Sequence, residues 1–168
     1  MSEHEQQAIL AYMEQSSTAL LNALHGVTEE LAVSVPGPGR WSILQCAEHV
    51  AVAEDHLFSL ITVSKRSDTP PINQQREVLI ATRGPDRSTR RESPEDAKPT
   101  GRFSTLSEAV QHFLASRAQT IQFVNTNKED LRSRITTHPL MGTVNCHEVI
   151  LLMAVHPARH AKQIEEIK

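Results

Sequence analysis

Residues 83–102 read RGPDRSTRRESPEDAKPTGR, a run almost without apolar side chains. It lies inside a longer stretch, 66–103, that holds five of the chain's nine prolines. Such a segment cannot continue a helix, because each proline lacks a backbone donor and its ring crowds the preceding turn. A connection this long inside a compact domain serves a function or spans a distance. Only INQQREVLIATR, residues 72–83, has the makings of a short helix within it. The pattern on both sides is helical, so the fold depends on what this segment joins.

Ahead of it, residues 5–32 repeat apolar side chains at Ile9, Met13, Leu20, Leu24, Val27 and Leu31, a helical period. VPGPGR at 35–40 ends that helix. A second helix starts at once. Ser42 is its N-cap, Gln45 three residues on completes a capping box, and Trp41 is placed to pack on the first turn. It should run to about Lys65 with Ile43, Val50, Leu57 and Ile61 inward. Beyond the connection, a third helix begins near Thr105 and carries Leu106, Val110, Phe113, Ala118, Ile121 and Val124. THPLMGTVN, 137–145, reads as the next turn, and a fourth helix covers about 145–167. The expectation is an all-α four-helix bundle over residues 1–168 as one domain.

Short turns join helices one to two and three to four, so each pair should be antiparallel. A 24-residue helix is roughly 36 Å long, a distance the 66–103 connection can cross. Helices two and three can then lie parallel, which is an up-down-down-up bundle with a long crossover. A plain up-down-up-down order stays open from spacing alone.

Composition narrows the function. Net charge is −3 with a pI near 6.3, and both signs are mixed along the chain, unlike the basic footprint of a nucleic-acid binder. No apolar run approaches the roughly 20 residues of a membrane span. MSEHEQQAIL at the N-terminus is too polar for a secretory leader. Cys46 and Cys146 make no disulfide framework. A cytoplasmic protein without membrane or nucleic-acid partners is expected.

Nine histidines hold the chemical interest. His4 and His112 read as surface residues, His25 as the cap of the first helix, and His138 and His147 as loop and helix-end residues. His156 and His160 differ, because they project within roughly 40° of each other. Their face also carries Val149, Met153, Ile164 and Ile167, so it is a buried face. Buried imidazoles need polar partners. A divalent metal supplies one, since neutral imidazole is the commonest metal ligand. Satisfied core histidines, or one wall of a groove, are the other readings. His49 lies beside the apolar arc of the second helix, between Cys46 and Ala53. In the up-down-down-up order it meets His156 and His160 at one level. In the plain order it is about 12 Å out of register with His160. Pro157, between the pair, crowds the Met153 carbonyl; it either bends the helix so that both rings tilt toward His49 or is a kink tolerated near a helix end.

WSILQCAEHVAVAEDHL, 41–57, followed by HPLMGTVNCHEVILLMAVHPARHAKQIEEI, 138–167, resembles the DinB-like (DinB/YfiT) superfamily. The shared elements are the Trp-Ser helix start, a histidine further in, and H-x-x-x-H followed by Gln-Ile near the C-terminus. The resemblance extends through the proline-rich crossover and GRFSTLSEA, 101–109. It implies an up-down-down-up bundle, often a homodimer, that binds a divalent metal such as zinc or nickel through His49, His156 and His160. It also implies reactions with low-molecular-weight thiols as co-substrates, as in bacillithiol S-transferases and a mycothiol-dependent isomerase.

Two functions follow. One is a metal-dependent enzyme, a thiol transferase or a hydrolase, acting on an unidentified small molecule. The other is a non-catalytic metal-binding or dimerising bundle in stress response. No catalytic residue is assigned. Glu54 could orient a ligand or act as a base, or simply bond a neighbouring helix. His56 is a pocket or edge-of-core residue. Arg83, Arg87, Arg90 and Arg91 would hold an anionic substrate or be solvated.

Overall fold

A computed structural model describes residues 1–89 and 93–168. Its helices are α1 (Glu3–Leu24), α2 (Glu29–Val33), α3 (Ile43–Thr62), α4 (Gln74–Arg83), α5 (Leu106–Thr126) and α6 (Cys146–Glu165). The bundle consists of α1, α3, α5 and α6, whose N-caps Ser2, Ser42, Thr105 and Asn145 all close capping boxes. Each box satisfies two of the backbone donors that a helix start leaves unpaired. The first helix ends earlier than its apolar period suggests. Gly26, at φ +74°, takes the left-handed region that glycine enters without penalty, and Thr28 caps α2 afresh. Leu31 therefore belongs to α2 and Val27 to the turn before it. His25 is the C-cap of α1.

Printed contacts establish the direction of each helix. Glu54 and Asp55 on α3 bond Arg117, Thr120, His112 and Ser116 on α5, and Phe58 meets Phe123 further along both, so these helices are parallel. His49, early on α3, meets His156 and His160, late on α6, so that pair is antiparallel. Gln6 bonds the Val124 carbonyl and Lys168 bonds the Ala23 carbonyl, so α1 runs against α5 and alongside α6. The bundle is up-down-down-up, and the 66–103 segment is its crossover. The segment includes α4 and a short 3-10 turn at Glu95–Ala97.

The turn before α6 is more ordered than its sequence suggests. Strands β1 (Lys65–Arg66), β2 (Arg134–His138) and β3 (Gly142–Asn145) form an antiparallel sheet in that order. Ile135 pairs with both Lys65 and Asn145. Two short extended runs around a three-residue loop, 139–141, with Gly142 at its exit are a hairpin signal, and the β-branched Ile135, Thr136 and Thr137 favour a strand. The expected helical bundle is therefore what forms, with a small sheet added beside it. His138, expected in a loop, is buried at the end of β2.

The core has two apolar clusters. One gathers Ile9, Met13, Leu57, Val124 and Met153, the other Leu20, Val50, Phe113, Ala161 and Ile164. Between them each bundle helix contributes polar groups: Ser16, Glu54, Arg117 with Thr120, and His160. Arg117 and Thr120, rather than Ala118, form the inward face of α5 at this level. Arg117 Nη2 donates to Glu54 Oε2 at 2.8 Å and to the Met153 carbonyl at 2.9 Å, and Thr120 donates to Glu54 Oε1 at 2.8 Å. The Met153 carbonyl is the group Pro157 leaves without an intrahelical donor. The tertiary structure supplies Arg117 in its place. Glu54 accordingly bonds a neighbouring helix. No described helix is long and apolar enough to cross a membrane.

Replacing Arg117 by Met should strand the Glu54 carboxylate in the core and lower unfolding free energy by about 3–5 kcal/mol. Urea unfolding measures this. Adding Glu54→Leu should recover most of the loss, because an apolar pair leaves no buried charge unsatisfied.

Candidate metal centre

His49 reaches the centre from the second turn of α3, and His156 and His160 from successive turns of α6. Their Nε2 atoms face one another, with His156 Nε2 at 3.3 Å from that of His49 and 3.0 Å from that of His160. One ligand atom from each lies within 4.8 Å of the others, and among the described residues no fourth His, Cys, Asp or Glu joins them. His49 and His160 are buried and His156 is half-buried.

The outer nitrogens decide what the inner ones offer. His49 Nδ1 lies 2.6 Å from the Ala97 carbonyl, which can only accept, so that nitrogen carries the hydrogen and Nε2 presents its lone pair inward. His160 Nδ1 is 3.1 Å from Gln163 Oε1, which leaves its Nε2 inward in the same way. His156 can give an Nε2 hydrogen to only one of these two neighbours. At least one lone pair is then left facing a lone pair, whereas a cation at the centre satisfies all three. The donor set fits a metal ion. Burial lowers the pKa of His49 and, with the neighbouring imidazoles, sets His156 and His160 well below the ordinary value of 6.5. All three are therefore neutral where an exposed histidine would be half protonated. Trp41 closes one side, its ring 5.0 Å from that of His49 and stacked at 6.5 Å from that of His160.

Glu48, beside His49, holds the crossover over this centre. Its buried carboxylate accepts from the backbone N–H groups of Thr100, Gly101 and Arg102 at 2.6, 3.0 and 3.1 Å. Gly101 sits at φ +80° so that these donors converge. That clamp fixes the chain around Ala97, whose carbonyl orients His49. Nothing in the spacing of helix two marks Glu48, and a backbone carbonyl such as Ala97 leaves no sequence signal at all.

A cavity of about 700 Å³ opens beside the triad. His49, His156 and His160 are in its wall, and so are His56 and His138, the pocket reading for His56. His56 Nδ1 faces Asp96 at 3.3 Å. Arg87 also lines the cavity and pairs with Glu166, while Arg83 pairs outside it with Asp86. Arg90 and Arg91 lie outside the described residues. Neither cysteine faces the cavity. Both are buried, and burial pushes the Cys46 thiol up to about 12 and raises that of Cys146. His4 and His112 are exposed, and His147 is buried in the first turn of α6.

Two outcomes are expected. Glu48→Ala should cost about 1–3 kcal/mol, because three backbone donors lose their acceptor. Hydrogen exchange at residues 100–102 should accelerate more than the average amide. In the metal-free chain, imidazole proton resonances of His49, His156 and His160 should still report the neutral form at pH 6.5. Folded-state pKa values below the unfolded one mean that stability is lost as pH falls through this range.

Comparison with known proteins agrees with this arrangement. A family model described as the DinB superfamily matches residues 12–164. The uncharacterized protein YuaE of Bacillus subtilis (strain 168) is 24% identical over 147 residues, which is 88% of this chain and 89% of YuaE. Among solved structures, TT2238, described as a four-helix bundle protein, matches with a TM-score of 0.61 at 21% identity, over 96% of this chain and 98% of its own. YfiT from Bacillus subtilis, described as a probable metal-dependent hydrolase with an unusual four-helix bundle topology, matches with a TM-score of 0.62 at 15% identity. That match covers 99% of this chain and 87% of YfiT. The two structural likenesses concern the fold. With its family match running from the middle of α1 to the end of α6, the chain belongs to the DinB superfamily.

Proposed function

We propose that His49, His156 and His160 ligate a divalent metal ion, zinc or nickel, and that the chain is a metal-dependent hydrolase. The observation that carries this reading is the convergence of three neutral imidazole nitrogens in the wall of an open cavity, with no fourth protein ligand among the described residues. Three neutral ligands leave the ion its full charge and an open position, where it supplies a Lewis acid that lowers the pKa of a bound water or thiol and polarises a carbonyl. Imidazole donors suit zinc and nickel alike. The description of YfiT as a probable metal-dependent hydrolase supports the same choice of reaction.

The chain's own residues have defined tasks. Ala97 and Gln163 hold His49 and His160 in orientation. Trp41 shields the centre on one side. His56, steadied by Asp96, has a buried Nε2 with no hydrogen-bond partner among the described residues. Its place in the cavity wall, with His138, makes it a candidate hydrogen-bonding group for a bound substrate.

Thiol transfer is the second reading. The cavity's 700 Å³ is ample for a co-substrate beside a substrate. Because both cysteines are buried away from the cavity, the thiol would arrive as a low-molecular-weight co-substrate. A non-catalytic metal-binding or dimerising bundle is the weaker alternative, since it would need no cavity beside the histidines.

Metal analysis of the purified chain tests the site. About one equivalent of zinc or nickel is expected, lost in His49→Ala and in the His156→Ala/His160→Ala double variant while the helical circular dichroism persists. Metal-dependent hydrolysis of aryl esters would then support the hydrolase, and metal-dependent conjugation of a small thiol the transferase. Absence of bound metal after reconstitution would refute both.

A further inference from the structure

The cavity is asymmetric along the α3–α6 interface. At one end lie Arg40 and Trp41, just before α3, with Arg87 and Gln163. The three histidines occupy the middle. Leu57 lies two turns beyond His49, Leu152 one turn before His156, and Met141 at the hairpin tip, so these line the opposite end. Because α3 and α6 are antiparallel, the order on both helices agrees.

Charge follows the same axis. Four described wall residues, Arg40, Arg87, Lys98 and Arg159, carry fixed positive charge, and no Asp or Glu is among the described lining residues. The chain as a whole is acidic, at net −3, so a wall with one sign of charge departs from its composition. Arg87 is held by Glu166 through Nε at 3.4 Å and Nη2 at 2.9 Å, which fixes its guanidinium and leaves Nη1 over. The Arg40 guanidinium makes no hydrogen bond to a described residue. Arg40 is exposed at the edge of the cavity, where an anion can reach it. Clefts lined by one sign of charge raise the local concentration of counter-ions, here anions.

We propose that this cavity takes an amphipathic organic anion, its acid group at Arg40 and Arg87, its reacting group at the histidine centre, and its apolar part between Leu57, Leu152 and Met141. The inference rests on reading the cavity as the substrate site and adds the class and orientation of the substrate. Guanidinium groups suit a carboxylate or phosphate because their donors match its geometry. The apolar end excludes a purely polar anion as the best ligand.

Trp41, the chain's single tryptophan, lines the cavity and reports binding by its fluorescence. The chain would be titrated with 4-phenylbutyrate, 4-phenylbutanamide and acetate, in chelator-treated and zinc-supplemented forms. In the metal-free form, 4-phenylbutyrate should bind at least tenfold more tightly than its amide and than acetate, with the advantage over the amide shrinking as salt rises. Arg40→Ala/Arg87→Ala should bring the acid to the level of the amide. Equal affinity for acid and amide, acid preference surviving the double substitution, or no saturable response at millimolar concentration would overturn the proposal. A preference that appears only with zinc would also overturn it, because the ion rather than the arginines would hold the acid. Zinc uptake is measured separately, so failure of the metal site and failure of the anion site give different results.

Discussion

The buried carboxylate of Glu48, taking three backbone N–H groups from residues 100–102, is the interaction on which the site depends. A crossover rich in proline and charge has little apolar surface with which to pack. Its position must come from hydrogen bonds, and a charged acceptor with several donors is the strongest form available. Because Glu48 precedes His49 on the same helix, the clamp also delivers the Ala97 carbonyl to His49 Nδ1. A connection between helices thus becomes the support for a candidate ligand.

A second polar arrangement organises the bundle from within. Glu54, Arg117 and Thr120 sit between two apolar clusters, and Arg117 also takes the Met153 carbonyl. A buried ion pair adds little net stability over an apolar substitute. A wrong helix register would leave a buried charge or carbonyl unpaired, which is costly. Pro157 belongs to this system. It removes one donor from α6, and the released acceptor is bonded by a residue on another helix, so α6 runs unbroken from Cys146 to Glu165.

The chemistry at the centre follows from neutrality. Burial keeps His49, His156 and His160 unprotonated, so their lone pairs are available to a cation. The cavity wall combines this centre with positive charge at one end and leucine and methionine at the other. Both cysteines are buried and neither is among the described residues that line the cavity. The proposed small-molecule chemistry would draw on the orienting hydrogen bonds and on the space beside the three histidines.

Much of this protein was legible from its residues alone. Helical period, the capping box at Ser42-x-x-Gln45 and a proline-rich crossover specify a four-helix bundle and permit the order in which His49, His156 and His160 share one level, because periodicity and loop length are local properties of a chain. Other features were decided only by tertiary structure. The pairing of β1, at Lys65–Arg66, with the β2–β3 hairpin joins segments about 70 residues apart. Gly26 ends α1 although the apolar period continues, since a backbone reversal outweighs pattern. Arg117 turns inward where Ala118 was expected, because Glu54 and the Met153 carbonyl await a donor that only another helix can bring. Ala97, Glu48 and Trp41 acquire their roles through contacts distant in sequence. Residue identity and spacing determine which groups can act. Which backbone carbonyl orients a ring, and which charges line a cavity, depends on long-range packing that no local pattern encodes.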